Sequence, residues 1–199
     1  MAATTRERRL WVGIEPSIPV VDRIAVLQEE LAEPLHQLGV RVQWIGPEAL
    51  RYMLRSVPFV DDAIPGLVRD AVSRIARASG PFDLQTEGTR LQPSLEIPRT
   101  VTVGAGEGSD EMERLATRVD AALQAAGAPV ETRPWTAELL VGRLSTPQRA
   151  VDLRGVIEGY ARTRYGATFC RELVVLVSEV VGSEVRWTTI SRAELGTGA

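Results

Sequence analysis

The sequence holds one cysteine, one histidine and no lysine among its 23 basic residues. A single cysteine, Cys170, rules out an intramolecular disulfide and any cysteine-rich metal cluster, which fits a reducing compartment. A single histidine, His36, rules out a zinc site built from imidazoles. It falls in the last turn of an expected helix, where the dipole tolerates positive charge, and reads as a surface residue. That every base is arginine reads as a GC-rich coding bias rather than as selection for phosphate recognition. Long apolar runs are also missing: nothing approaches the ~18 to 20 residues that span a bilayer. The apolar part of the N-terminal segment, Leu10 to Ile14, is shorter than the ~7 residues of a signal-peptide core. A soluble, cytoplasmic protein is expected, with no membrane, metal or cofactor. The net charge of −3 argues against the broadly basic surface that non-specific nucleic-acid binding needs, although a local patch survives that argument.

What is present is ordinary globular composition, 44% hydrophobic and 25% charged, in a chain long enough to bury a core without staples. Period-2 and period-3.6 patterns alternate along it. Strands are expected at Leu10 to Glu15, Val40 to Ile45, Ala49 to Val57, Phe82 to Leu91, Arg99 to Val103, Val130 to Pro134 and Ala137 to Leu144. A closing hairpin of Glu172 to Val181 and Glu184 to Ser191 turns at Gly182-Ser183. Helices are expected after Pro19, ending at Gly39, then at Ile64 to Ser79, at Glu111 to Ala126, and from Thr146-Pro147 to about Tyr165. The arginines of the second helix, Arg69, Arg74 and Arg77, read as a solvated face.

The run Val103-Gly104-Ala105-Gly106-Glu107-Gly108 has the look of a nucleotide loop, but no Gly-Lys-Ser/Thr ending follows and Glu107 would repel phosphate. Asp110 and Glu113 fit a capping box at the following helix start, so the run reads as a connection. Two other stretches carry more. WIGPEALRYMLRSV, Trp44 to Val57, turns at Gly46-Pro47 into an alternating segment that puts Arg51 and Met53 on one face. PWTAELLVGRL, Pro134 to Leu144, repeats that pattern and puts Glu138 and Leu140 in the corresponding places. Strand, helix, strand, corner and alternating strand thus occur twice, at Leu10 to Val57 and at Arg99 to Leu144. The repeat points to one bilobal α+β domain over residues 1–199, with loosely held ends at about 1–8 and 193–199.

These two stretches, with GPFDLQTEGTRLQPSLEIPRTVTVG, ERLATRVDAALQAAGAPVETRPWTAELLVGRL and ELVVLVSEVVGSEVRWTTI in order between and after them, resemble the two-histidine (2H) phosphoesterase superfamily. The similarity is greatest to its LigT branch, called 2'-5' RNA ligase or RNA 2',3'-cyclic phosphodiesterase, and runs from about Leu10 to Ile190. The resemblance implies a pseudo-twofold fold of two mostly antiparallel sheets flanked by helices around a central cleft. It also implies a His-x-Thr motif on an inner strand of each lobe, one histidine acting as base and the other as acid on a cyclic phosphate. Here both motifs are lost. Carried over through Pro47-Glu48-Ala49-Leu50, the first places Arg51 at the histidine and Met53 at the threonine. Carried back from Val141-Gly142-Arg143, the second places Glu138 and Leu140.

Arginine does not exchange a proton near neutrality, and neither methionine nor leucine offers a useful hydrogen-bond donor. Tyr52 fails as a substitute acid because alternation turns it to the other face. The expectation is therefore a pseudoenzyme with no catalytic residues, acting on a protein partner or a ligand, the protein partner being preferred because the threonines are gone and the net charge is acidic. Arg51 and Glu138 are expected to pair across the cleft and narrow it, with Met53 and Leu140 beside them. A second reading keeps an anion site for a nucleotide or short RNA. In it Arg51 and Arg55 share a face, Arg143 matches the family's arginine after the second motif, and Trp135 offers a stacking surface. Strict alternation turns Arg143 away from Glu138, so this reading needs a twist or strand end there. Core packing is the simpler reading of Trp135 and Trp44. A residual RNA 2',3'-cyclic phosphodiesterase with Glu138 as base is the third.

Overall fold

The computed structural model describes residues 8–59, 61–130, 135–145, 152–182 and 184–196. In chain order these form β1 (Arg8–Ile14), α1 (Ile18–Gln37), β2 (Arg41–Trp44), a 3-10 turn (Pro47–Ala49), β3 (Tyr52–Pro58), α2 (Ile64–Arg77), β4 (Phe82–Gln92), β5 (Thr100–Ala105), α3 (Ser109–Ala125) and β6 (Glu138–Ser145). The short α4 (Arg154–Ile157), a 3-10 turn (Glu158–Tyr160), β7 (Arg164–Cys170), β8 (Glu172–Val181) and β9 (Glu184–Glu194) follow. No helix among the described residues is long and apolar enough to cross a membrane.

All strand pairs among the described residues are antiparallel, along the path β7-β4-β5-β6-β3-β1-β8-β9, with β2 added to β6. The path is two sheets in all but one place. β3 and β6 share a single bridge, Tyr52 with Leu139, after which β6 takes β2 as its neighbour through Arg41 to Trp44. One half is therefore β3-β1-β8-β9 and the other β6-β5-β4-β7, each ordered outward from the bridge. This is the α+β, pseudo-twofold arrangement expected from the repeat.

The helices cross over. α1, which follows β1, packs on β7 and β2 of the other half, whereas α3, which follows β5, packs on β3 and on α2. Amphipathic faces explain the docking: Val20, Ile24, Leu27, Leu31 and Leu35 of α1 are buried, as are Met112, Leu115, Val119 and Leu123 of α3. With the helices on one side, the opposite side of each sheet is the one that carries the motif positions.

Several expectations change. The end expected to be loose is tied down through 196, because Leu195 N–H donates to Arg171 O and Gly196 N–H to Ala76 O. Of the helix expected from Thr146, residues 146–151 lie outside the described residues; beyond them stand only α4, a 3-10 turn and then β7. Gly155 and Gly159 weaken a helix there, while Tyr165, Thr168 and Cys170 bury one face of a strand. The strand expected at Val130 to Pro134 falls mostly on 131–134, also outside the described residues.

The Asp110-Glu113 capping box does not form. The N-cap of α3 is Gly108, left-handed at φ 85°, and its place for a Cβ is filled by the Asp83 carbonyl. Glycine is required there for space as well as for conformation. The helix therefore starts at Ser109, with Asp110 already inside its first turn. The amides of Ala105 and Gly106 are bonded to Ala137 O and Gln85 O, so these two donors of the glycine run serve the connection.

Candidate functional site

The bridge pair is buried on the helix side, with both residues at 0% exposure. The Tyr52 hydroxyl bonds Thr86 Oγ1 at 2.5 Å, reaching β4 of the other half, and burial pushes its pKa well up. Their chain neighbours on each side, Arg51 and Met53, Glu138 and Leu140, consequently face away from the helices. Because the bridge is antiparallel, Glu138 lies opposite Met53, and Leu140 opposite Arg51.

That crossing explains why the expected Arg51–Glu138 pair is absent among the described residues. The two charges sit on a diagonal, and Arg51 turns instead to the end of β1. Its guanidinium donates to Glu48 O at 2.5 Å and meets Glu15 at 3.4 Å. Glu15 also accepts from Arg192 at 2.8 and 3.1 Å, and Arg192 reaches Glu172 at 2.5 Å. The Arg192 hydrogen bond, aided by the Arg192 and Arg51 charges, holds the Glu15 carboxyl below the usual carboxylate range against the opposing effect of burial. Glu138 has no hydrogen-bond or ionic partner among the described residues.

Both motif strands carry a bulge directly after the second motif position. In β3 the register to β1 passes from Met53↔Gly13 to Arg55↔Val12, leaving Leu54 as the extra residue. In β6 the register to β5 passes from Leu140↔Thr102 to Gly142↔Val101, leaving Val141 extra. An extra residue reverses the facing of everything beyond it. Arg55 therefore does not share a face with Arg51 and Met53. It points to the helix side and forms a two-toothed pair with Asp120 of α3, at 2.5 and 2.7 Å. Arg143 undergoes the opposite change, for the bulge returns it to the face of Glu138 and Leu140, the turn of chain that the anion reading required.

Trp135 is half-buried against the core, and its Nε1–H donates to Met53 O at 2.9 Å. It clamps one motif strand from the other half rather than offering a free stacking surface. Trp44 likewise packs on the core, against the bare backbone of Gly142. His36 is exposed in the last turn of α1. Cys170 is buried, and its burial pushes the thiol up to about 12, so it is an inert packing residue.

Neither a family model nor a curated protein sequence matches the chain. Solved structures do. TT0787 of Thermus thermophilus superposes with a TM-score of 0.75 at 18% identity, over 94% of this chain and 97% of that one. LigT of E. coli, solved with 3'-AMP, gives 0.73 at 15% identity over 96% and 98%. A further structure, described as a phosphoesterase, gives 0.72 at 16% identity over 96% and 99%. The fold is that of LigT.

Arg51, Met53, Glu138 and Leu140, the four positions singled out from the sequence, flank the one bridge between β3 and β6 among the described residues. Two residues of the same face escaped the sequence reading. Arg90 of β4 stands opposite Thr102 of β5, which stands opposite Leu140. The row across the junction is thus Arg51, Leu140, Thr102, Arg90. Among the described residues two buried side-chain polar atoms lack a partner, Arg51 Nε and Thr102 Oγ1, and both belong to this row. A threonine in a strand is common, and only the register and its missing partner mark Thr102 out.

Proposed function

We propose that the protein is a catalytically inactive relative of the 2H phosphoesterases that binds a phosphate-bearing ligand in its cleft. The observation that carries this is the state of Arg51. At the position of the first family histidine stands an arginine, whose guanidinium is held by Glu48 O and Glu15 and has donors but no acceptor atom. General acid–base chemistry on a cyclic phosphate needs two groups that exchange protons, and one of the two positions is closed to it. Cysteine does not replace it, because Cys170 is buried.

Of the two occupants that the sequence leaves open, a protein partner and a ligand, the open face of β4-β5-β6 favours the ligand. Arg90 and Arg143 both lie on it, and neither is engaged by a carboxylate of the described residues. Guanidinium groups on strands suit phosphate oxygens. LigT structures are described with 3'-AMP, ATP, NADP+ and phosphate, which makes nucleotides the first ligands to try.

The test pairs binding with turnover. Isothermal titration of the full chain with 3'-AMP, ATP and a 2',3'-cyclic nucleotide is expected to give binding to at least one, while the cyclic nucleotide is recovered unhydrolysed. Binding of none of them, with a co-purifying protein instead, would return the protein-partner reading. Glu138, without a partner among the described residues, favours one other reading, a residual phosphodiesterase with that carboxylate as base. Hydrolysis that Glu138→Gln removes would establish it.

A further inference from the structure

We infer that the cleft holds its anion away from the family's histidine positions, in a seat on β4-β5-β6 formed by Arg90, Thr102 and Arg143. The ligand class is a phosphomonoester that also carries a free hydroxyl. This rests on the ligand-binding reading above and adds where the phosphoryl group sits and what reads the rest of the ligand.

Three cross-strand rows define the seat. Glu87, Gly104 and Glu138 form the first, Arg90, Thr102 and Leu140 the second, and Gln92, Thr100 and Arg143 the third. All nine positions share one face, because directly paired residues do and because β5 alternates without a bulge between Thr100 and Gly104. Thr102 is 2% exposed and its Oγ1 has no partner among the described residues. A buried hydroxyl left unbonded costs stability unless something supplies the bond.

Arg90 starts opposite that hydroxyl. Its guanidinium carbon ends 3.2 Å from where a Cβ of Gly104 would be, so the bare glycine provides the space in which the guanidinium rests. Arg143 flanks Thr102 from the next row on β6. Thr102 thus lies between two arginines, Arg90, whose guanidinium rests over Gly104 in the first row, and Arg143 in the third, and these three side chains are the donors that a phosphoryl group on this face would draw on.

The acids on this face decide the remainder of the ligand. Glu87 is already paired with Arg164 at 3.2 Å. Glu138 has no partner among the described residues, and its carboxylate accepts hydrogen bonds and would repel a second phosphate placed beside it. One row from Thr102, it suits a hydroxyl donor such as those of a ribose.

The experiment is titration of the full chain and of single variants with 3'-AMP, inorganic phosphate and adenosine, with melting curves of each protein alone. Wild type is expected to bind 3'-AMP more tightly than either fragment. Arg90→Gln, Thr102→Val and Arg143→Gln should each weaken 3'-AMP binding by about tenfold or more, the size of one charge-assisted hydrogen bond. Glu138→Gln should weaken 3'-AMP and leave inorganic phosphate unchanged, and Arg69→Gln, on the exposed face of α2, should change neither. Thr102→Val alone should melt at or above the wild-type temperature, since it removes a buried orphan hydroxyl; a lower melting point would assign the hydroxyl a structural role and overturn its part in the seat. If 3'-AMP binds wild type and these three variants alike while Arg51→Gln abolishes binding, the anion lies at the family positions and this inference fails with the ligand reading intact. If wild type binds none of the probes, the ligand reading fails and this inference with it.

Discussion

Tyr52 lies directly across from Leu139, and among the described residues this pair is the whole of the bridge between β3 and β6. It is the point about which the two halves repeat, and the four motif positions are its immediate neighbours. A junction one residue pair wide leaves the sheets free to diverge on either side. Beside the β2–β6 pairing and the helices that cross over, side chains also join the halves: Tyr52 is bonded to Thr86 on the helix side, and Trp135 to the backbone of Met53.

Tyr52→Phe removes the hydroxyl from a fully buried place and leaves Thr86 Oγ1 without its partner. The expected cost is about 1 to 3 kcal/mol, read as a lower midpoint in urea with an unchanged slope. A chain of this size should lose a few degrees of melting temperature for each kcal/mol. An unchanged midpoint would mean that the hydroxyl contributes nothing at the junction.

Arg55 and Asp120 tie β3 to α3 on the helix side, with side-chain exposures of 13% and 23%. Asp120→Ala should destabilise by about 1 to 3 kcal/mol, more than a surface pair, because it strands a largely buried guanidinium. Binding of 3'-AMP per folded molecule should be unaffected. A loss of affinity without loss of stability would return Arg55 to the cleft, where simple alternation had placed it.

Glu15 supplies a pH dependence. Its folded pKa is depressed, chiefly by Arg192, so its contribution is present above the unfolded carboxylate value and is lost as pH falls through the folded one. Wild type is expected to lose stability on acidification below about pH 4.5, and Glu15→Gln should start less stable at neutral pH and lose less over that interval. The same variant frees Arg51 from its only carboxylate partner among the described residues. Parallel stability curves for the two proteins would contradict the assignment.

How much of this was legible in the sequence follows from what periodicity can see. The amphipathic faces of α1, α2 and α3 and the alternation of most strands are local signals, and the repeat of turn and alternating strand located Arg51, Met53, Glu138 and Leu140. Facing beyond a bulge is not local. Leu54 and Val141 look like ordinary apolar strand residues, yet each turns the chain over, so alternation puts Arg55 on the face of Arg51, where it is not, and lets Arg143 share the face of Glu138 only if the strand twists, which the bulge supplies. Pairing across the junction is not local either. Opposite charges at equivalent positions suggested an ion pair, whereas the antiparallel bridge sets Glu138 against Met53 and leaves Arg51 to Glu15. β7 was missed because a glycine-containing segment beside a proline-led helix signal has little to announce it, and Thr102 because an orphan hydroxyl exists only in three dimensions.

On the proposed reading Arg51 and Glu138 occupy the family's proton-transfer positions and silence the chemistry. Hydrolysis of a 2',3'-cyclic nucleotide should therefore be measured for wild type and for a variant combining Arg51→His, Met53→Thr, Glu138→His and Leu140→Thr. Wild type is expected to stay at the buffer rate across about pH 5 to 9, and the fourfold variant to show turnover with a bell-shaped pH profile, as two titrating histidines require. Turnover by wild type that Glu138→Gln removes, with no gain from the fourfold variant, would contradict the account.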